Sequence, residues 1–322
     1  MTVCAAAVPG FCETVPPAGG GPAPGNRVPG RDIERSFTSR SGKTLRARGR
    51  LYGPAGAPLT IVLGGVSAGR RLLDDESGPG WWPGVAGGQG ALDPSRRRLL
   101  GMDFIAAGAA PFPTLDDQAD AALALADAAG ARRFALAGAS YGGVTALALA
   151  AQVPERVRRA DILCAAARPH PMASAWRAIQ RDIVQLALEV GQGAHGVDLA
   201  RRLAMTIYRT PEEFQARFAA GTGEDVCDYL AARGAAYAAC TSPQRFLALS
   251  HSMDAADIPV ERITAPVRFL AVRSDRLVPP GDIRATAARM ARASVHEIDS
   301  LYGHDGFLKE TGAVNAFLEA QA

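Results

Sequence analysis

Short, largely apolar runs alternate along this chain with longer stretches of helical period. The runs are Leu59–Leu63 (L-T-I-V-L), Arg98–Ile105 (R-L-L-G-M-D-F-I), Arg133–Ala137 (R-F-A-L-A), Ala160–Ala166 (A-D-I-L-C-A-A) and Val267–Val272 (V-R-F-L-A-V). They read as parallel strands buried on both faces. Ser294–Ile298 is a weaker sixth strand. Helical patterns fall between them. One begins at Leu115, with Thr114 as N-cap, Asp116 and Asp117 in its first turn, and Leu123, Leu125 and alanines as its packing face. Others follow Ser140 and Asp282, and the last carries Val314, Phe317 and Leu318. This alternation predicts an α/β fold with a mostly parallel, doubly wound sheet. Residues 168–247 break the rhythm, because they hold helical stretches such as A-W-R-A-I-Q-R-D-I-V-Q-L-A-L-E-V and no clear strand. They predict a helical cap inserted into the core, over the carboxyl ends of the strands where ligands bind. The expected organisation is a disordered leader (1–30), a core (31–167 and 248–322) and a cap (168–247).

Composition narrows the picture. The chain has 322 residues, 48% hydrophobic and 21% charged, which excludes disorder throughout. The net charge of +3, with Arg96–Arg98 as the longest basic run, gives no nucleic-acid partner. Phe134–Pro154 is uncharged and long enough to span a bilayer. Its glycines, with Ser140, Thr145 and Gln152, read instead as strand, sharp turn and helix, so no membrane partner is expected. No basic n-region precedes an apolar core in the leader, so no secretory signal is predicted. Five widely spaced cysteines without a C-x-x-C predict neither a disulfide scaffold nor a metal site, and suit a reducing cytoplasm.

The pattern G-x-S-x-G occurs twice, at Gly65–Gly69 and Gly138–Gly142. A nucleophile elbow needs a strand before the serine and a helix after it. Ser140 has both, whereas Ser67 leads into R-R-L-L-D-D-E-S-G-P-G, a loop. Ser140 is therefore the expected nucleophile. Tyr141 would supply one oxyanion N–H, and Val66 or Gly65 the other, from the loop after an earlier strand. The acid and base should follow in the order Asp, then His. Asp275 stands at a strand's carboxyl end, and His304 lies between the last strand and the last helix. Among the other histidines, His170 comes too early for this order. His195 reads as part of a Gly-rich loop, His251 precedes the late strands, and His296 reads as a strand residue. Ser140, Asp275 and His304 form the expected triad, and such a triad alone does not specify the acyl acceptor.

Several separated motifs, in order over residues 35–320, resemble the homoserine O-acyltransferases of the α/β-hydrolase superfamily. They include G-W-W-P-G-V-A-G-G-Q-G-A-L-D-P (Gly80–Pro94), G-A-S-Y-G-G (Gly138–Gly143), A-I-Q-R ending at Arg181 and T-I-Y-R-T (Thr206–Thr210). H-S-M-D (His251–Asp254), S-D-R-L-V-P (Ser274–Pro279) and G-H-D-G-F-L (Gly303–Leu308) complete the set. The resemblance implies an α/β-hydrolase fold and a ping-pong reaction. In it, Ser140 takes an acyl group from acyl-CoA, a co-substrate rather than a permanently bound cofactor, and passes it to the hydroxyl of L-homoserine in methionine biosynthesis. Acetyl is expected over succinyl on family frequency. The resemblance also implies that Arg181 grips the amino-acid carboxylate, Asp305 holds the ammonium and Tyr208 lines the pocket. It further implies a homodimer through the insertion, for which Leu186, Leu188, Leu199, Leu203 and Met205 are candidates that could equally pack onto the core. An oxyanion loop reading G-G-V rather than the H-A-L of longer members leaves serine as an alternative acceptor, and water as another, in an esterase or thioesterase.

Overall fold

The computed structural model describes residues 28–106, 112–219, 223 and 225–320. Most of the expected leader lies outside these residues. Eight strands form one sheet: β1 (Arg31–Thr38), β2 (Thr44–Tyr52), β3 (Leu59–Leu63), β4 (Arg98–Met102), β5 (Phe134–Ala139), β6 (Val157–Leu163), β7 (Val267–Val272) and β8 (Ala293–Ile298). Eleven α-helices occur among the described residues: α1 (Pro83–Ala86), α2 (Leu115–Ala128), α3 (Tyr141–Gln152), α4 (Pro171–Glu189), α5 (Gly193–Tyr208), α6 (Pro211–Phe218), α7 (Val226–Ala238), α8 (Pro243–Asp254), α9 (Pro280–Ala288), α10 (Gly306–Lys309) and α11 (Thr311–Glu319). The strand order is β1-β2-β4-β3-β5-β6-β7-β8. Pairing is antiparallel from β1 to β2 and from β2 to β4, and parallel elsewhere.

The apolar runs became the central strands because each side of the sheet is covered. Ile61, Leu100, Leu136 and Phe269 are buried against α2 and α3 on one face. Val62, Leu99, Ala137 and Leu270 pack with Trp81, Trp82 and Phe317 on the other. The α2 cap matches its prediction. The Thr114 hydroxyl accepts from the Asp117 N–H at 3.2 Å, and the Asp117 carboxylate accepts from the Thr114 N–H at 2.9 Å, a reciprocal capping box.

Two strands escaped the sequence reading. β1 and β2 are antiparallel at the sheet's edge, and β2 carries Arg46, Arg48 and Arg50 at alternate positions. The apolar-run criterion suits two-sided burial and misses such strands. Between β6 and β7 the described residues carry five helices and no strand; α8 runs past residue 247. His195, expected in a loop, lies in α5, because the glycines at 193 and 196 sit where Leu188 and Ala187 of α4 press close. Among the described residues, Cys164 is a buried free thiol and Cys227 an exposed one. Among the described residues, no helix is long and apolar enough to cross a membrane.

Candidate active site

Ser140 sits between β5 and α3 with φ 53°, a left-handed conformation that a non-glycine residue adopts at a cost of about 1–3 kcal/mol. The surroundings enforce it. The Ser140 N–H donates to Leu163 O at 2.9 Å, and the next turn presses α3 against the end of β3. There the Gly142 N–H donates to Gly64 O at 2.8 Å. A Cβ on Gly142 would stand 2.3 Å from Leu63 O, so only glycine permits this approach. The same bond holds the loop after β3 beside the serine; a Cβ on Gly65 would lie 3.8 Å from the Ser140 Cβ. Tyr141 is wholly buried. Its ring packs edge-on against Phe104, and its hydroxyl is 2.7 Å from the Ser252 hydroxyl on α8.

His304 and Asp275 meet the serine from two other loops. The His304 Nε2 is 2.8 Å from the Ser140 hydroxyl, and its Nδ1 is 2.7 Å from Asp275 Oδ2. The other carboxylate oxygen of Asp275 accepts from the Leu277 and Val278 N–H groups at 2.8 and 2.9 Å, which fixes the carboxylate plane. The His304 turn docks on the end of α5 at Gly303, whose φ is 57° and whose Cβ would lie 2.6 Å from Tyr208 O. Both His304 and Asp275 are buried. Burial alone would lower the imidazole's affinity for a proton. The charge and hydrogen bond of Asp275, with the charge of Asp305, outweigh it and hold His304 above the usual histidine range. Cys164 brings its thiol to within 4.8 Å of ligand atoms of Asp275 and His304. Both His304 nitrogens already face Asp275 and Ser140, so neither is left for a metal ion.

Two small cavities, of about 60 and 40 Å³, adjoin Ser140. Val66, Arg201 and Tyr208 line both. Asp305, His304, Gly65 and Trp81 also line the second. Asp305 accepts from the Arg209 Nε at 2.7 Å, and Arg209 is also 3.3 Å from Glu213, which in turn lies 3.9 Å from Arg217.

Arg181, expected to grip the amino-acid carboxylate, lines neither of the two cavities beside Ser140. Its Nη1 donates to Asp254 at 2.5 Å and to the Ser250 hydroxyl at 2.9 Å, both on α8. Arg201 stands at the cavities instead, 3% exposed, with its guanidinium 5.4 Å from the Tyr208 ring centre and 4.8 Å from that of Tyr237. Arg177, one turn before Arg181, lines the larger cavity and is bound to Asp254. Arg201 and Tyr208 are seven residues apart, two turns of one helix, and so share the face that meets the cavities.

The alpha/beta hydrolase fold family matches residues 76–311. A solved homoserine O-acetyltransferase from Staphylococcus aureus is similar in fold (TM-score 0.78, 23% identity, 92% of this chain and 96% of that one). So is an esterase, E22, in its L374D form (TM-score 0.79, 18% identity, 91% and 100%). With its mostly parallel sheet and serine elbow, the chain belongs to the α/β-hydrolase superfamily. Sequence relatives narrow that class. A homoserine O-succinyltransferase of Xanthomonas campestris is 41% identical over 86% of this chain and 78% of its own length. A homoserine O-acetyltransferase of Deinococcus radiodurans is 32% identical over 83% of each. Within the superfamily, the chain is a member of the homoserine O-acyltransferase family, and it is an enzyme of the acyltransferase class.

Proposed function

We propose that this enzyme transfers an acyl group from acyl-CoA to the side-chain hydroxyl of L-homoserine, a step of methionine biosynthesis, through an acyl-Ser140 intermediate. The observation that carries this reading is the conjunction of a hydrogen-bonded Ser140–His304–Asp275 line with a buried guanidinium, Arg201, and a buried carboxylate, Asp305, at the same cavities. His304 takes the Ser140 proton as the hydroxyl attacks the thioester. The N–H groups of Tyr141 and of Val66 or Gly65 stabilise the oxyanion, and CoA leaves with the proton from His304. Homoserine then enters with its carboxylate on Arg201 and its ammonium toward the Asp305 carboxylate, which lines the same cavity. His304 deprotonates the incoming hydroxyl as it attacks the acyl carbon, then returns that proton to the Ser140 oxygen as the acyl–Ser140 bond breaks. An esterase acting on neutral esters has no need of a buried ion pair for a zwitterion, and this favours transfer over hydrolysis.

Residues 168–247 act in this reading as a cap that contributes Arg201 and Tyr208 to the core's triad. Between donors, 41% identity to a succinyltransferase against 32% to an acetyltransferase supports succinyl-CoA, reversing the expectation from family frequency. Release of free CoA, followed with each donor and with homoserine, serine or no acceptor, tests the function. Fast release from succinyl-CoA that requires homoserine is expected; equal release without an acceptor would identify a thioesterase.

Two further outcomes follow. Arg201→Ala should raise the KM for homoserine about 10–100-fold, the worth of a lost charge-assisted pair, with a smaller effect on release of CoA from the donor alone. The rate should also fall with pH, because the base must be neutral. Since the His304 pKa is raised, activity is lost on acidification at a pH above the ordinary histidine value. Asp305→Asn, which removes one of the charges raising it, should shift that limb to lower pH in a pH–rate profile.

The exposed face of α4 supports a homodimer. Met172, Ile179 and Leu186 recur every seven residues and are 50%, 52% and 63% exposed. Leu188 and Leu199 are also exposed, while Met205, expected at such a face, is buried in the chain's own core.

A further inference from the structure

The amino ends of the central strands hold a second concave site, far from Ser140. A cavity of about 400 Å³ opens there over the starts of β3 and β5, floored by Pro58, Thr60 and Ala135. Four arginines wall it: Arg96 and Arg97 from the turn before β4, and Arg158 and Arg159 from β6. Ala135 lies near the start of β5 and Ser140 just past its end, five residues on, about 16 Å at the rise of an extended strand. The cavity is therefore distinct from the catalytic one.

Carboxylates nearby do not balance this charge. Asp93 is 3.5 Å from Arg96, and Asp161 is 3.4 Å from Arg159 but is held more closely, at 2.7 Å, by Arg268. Among the described residues, no carboxylate lies within ion-pair distance of Arg97 or Arg158; Arg158 Nη2 donates to the Leu59 backbone carbonyl at 3.4 Å. Burial, and then the like charges of Arg159 and Arg96, depress the affinity of Arg97 for its proton, although Asp161 and Glu319 oppose this. Burial, and then Arg133 and Arg159, do the same to Arg158. Guanidinium groups crowded together repel one another, and each presents a planar fork of donors that matches phosphate oxygens.

We propose that this arginine-walled cavity binds a small, multiply charged oxyanion of the oligophosphate class. The shape separates this ligand from a nucleic-acid strand, because the arginines converge on a cavity of small-molecule size rather than forming a stripe. A free oligophosphate and the phosphate tail of a nucleotide share the chemistry, and they differ in whether a base adds affinity. The proposal does not rest on the acyl-transfer reading.

Calorimetric titration of the full chain with pyrophosphate, and separately with ATP, tests it. The Arg97→Ala/Arg158→Ala double variant serves as the comparison. Saturable pyrophosphate binding is expected, weakened by salt and at least about tenfold weaker in the variant. Hydrolysis of p-nitrophenyl acetate at Ser140 should be unchanged in the variant, which reports that it is folded; Arg97→Gln alone replaces it if the double variant fails to fold. Tighter binding of ATP than of pyrophosphate assigns the site to a nucleotide, and equal binding to the free oligophosphate. Absence of saturable binding of both, or equal affinity in parent and variant, overturns the proposal.

Discussion

Ser140→Ala should abolish acyl transfer, lowering kcat by about 10⁵-fold or more, because it removes the atom to which the acyl group is bound. The loss is expected to be as large as that from removing His304, since the two act as one unit across 2.8 Å. The fold should survive. Ser140 is the residue held at φ 53°, and alanine is no more strained there than serine, so thermal unfolding should change little. Binding of homoserine should survive too, because Arg201 and Asp305 do not depend on the hydroxyl. A Ser140→Ala protein that still releases CoA in a homoserine-dependent manner would remove the triad from the account.

The second large effect is expected for Asp275→Asn, a loss of about 10⁴-fold in kcat. The surroundings decide which way the amide turns. The N–H groups of Leu277 and Val278 both point at Asp275 Oδ1 and require an acceptor there. The asparagine oxygen takes that position, which puts its NH₂ group against His304 Nδ1. Nδ1 then accepts instead of donating, the ring's proton moves to Nε2, and Nε2 can no longer accept the Ser140 proton. Raising the pH should not restore the rate, because the fault is the tautomer and not the charge. Recovery of activity at high pH would contradict this.

Much of this was legible in the sequence, for identifiable reasons. The central strands were found because burial on both faces leaves an apolar run, as in Leu59–Leu63 and Val267–Val272, whose bounds agree with β3 and β7. The elbow separated Ser140 from Ser67 because its requirement for a strand and a helix is local. Asp275 and His304 were found by order along the chain, and the structure brings both to Ser140. What failed depended on partners distant in sequence. β2, with its alternating arginines, is a strand only because β1 and β4 flank it. Arg181 carries a reasonable charge at a reasonable place, yet its Nη1 is bound to Asp254, 73 residues later, away from the cavities beside Ser140. Arg201, proposed above for the carboxylate, gave no sign in the sequence because its environment is made by Tyr208 and by Tyr237 from another helix.

The covalent intermediate is the central claim, and intact-protein mass spectrometry reads it directly. Incubated with succinyl-CoA alone, the enzyme should gain the mass of one succinyl group, mapped to Ser140, and lose it on addition of L-homoserine with formation of the O-acyl product. A protein that turns over succinyl-CoA and homoserine without ever carrying the acyl group, or that carries it on a residue other than Ser140, would contradict the account.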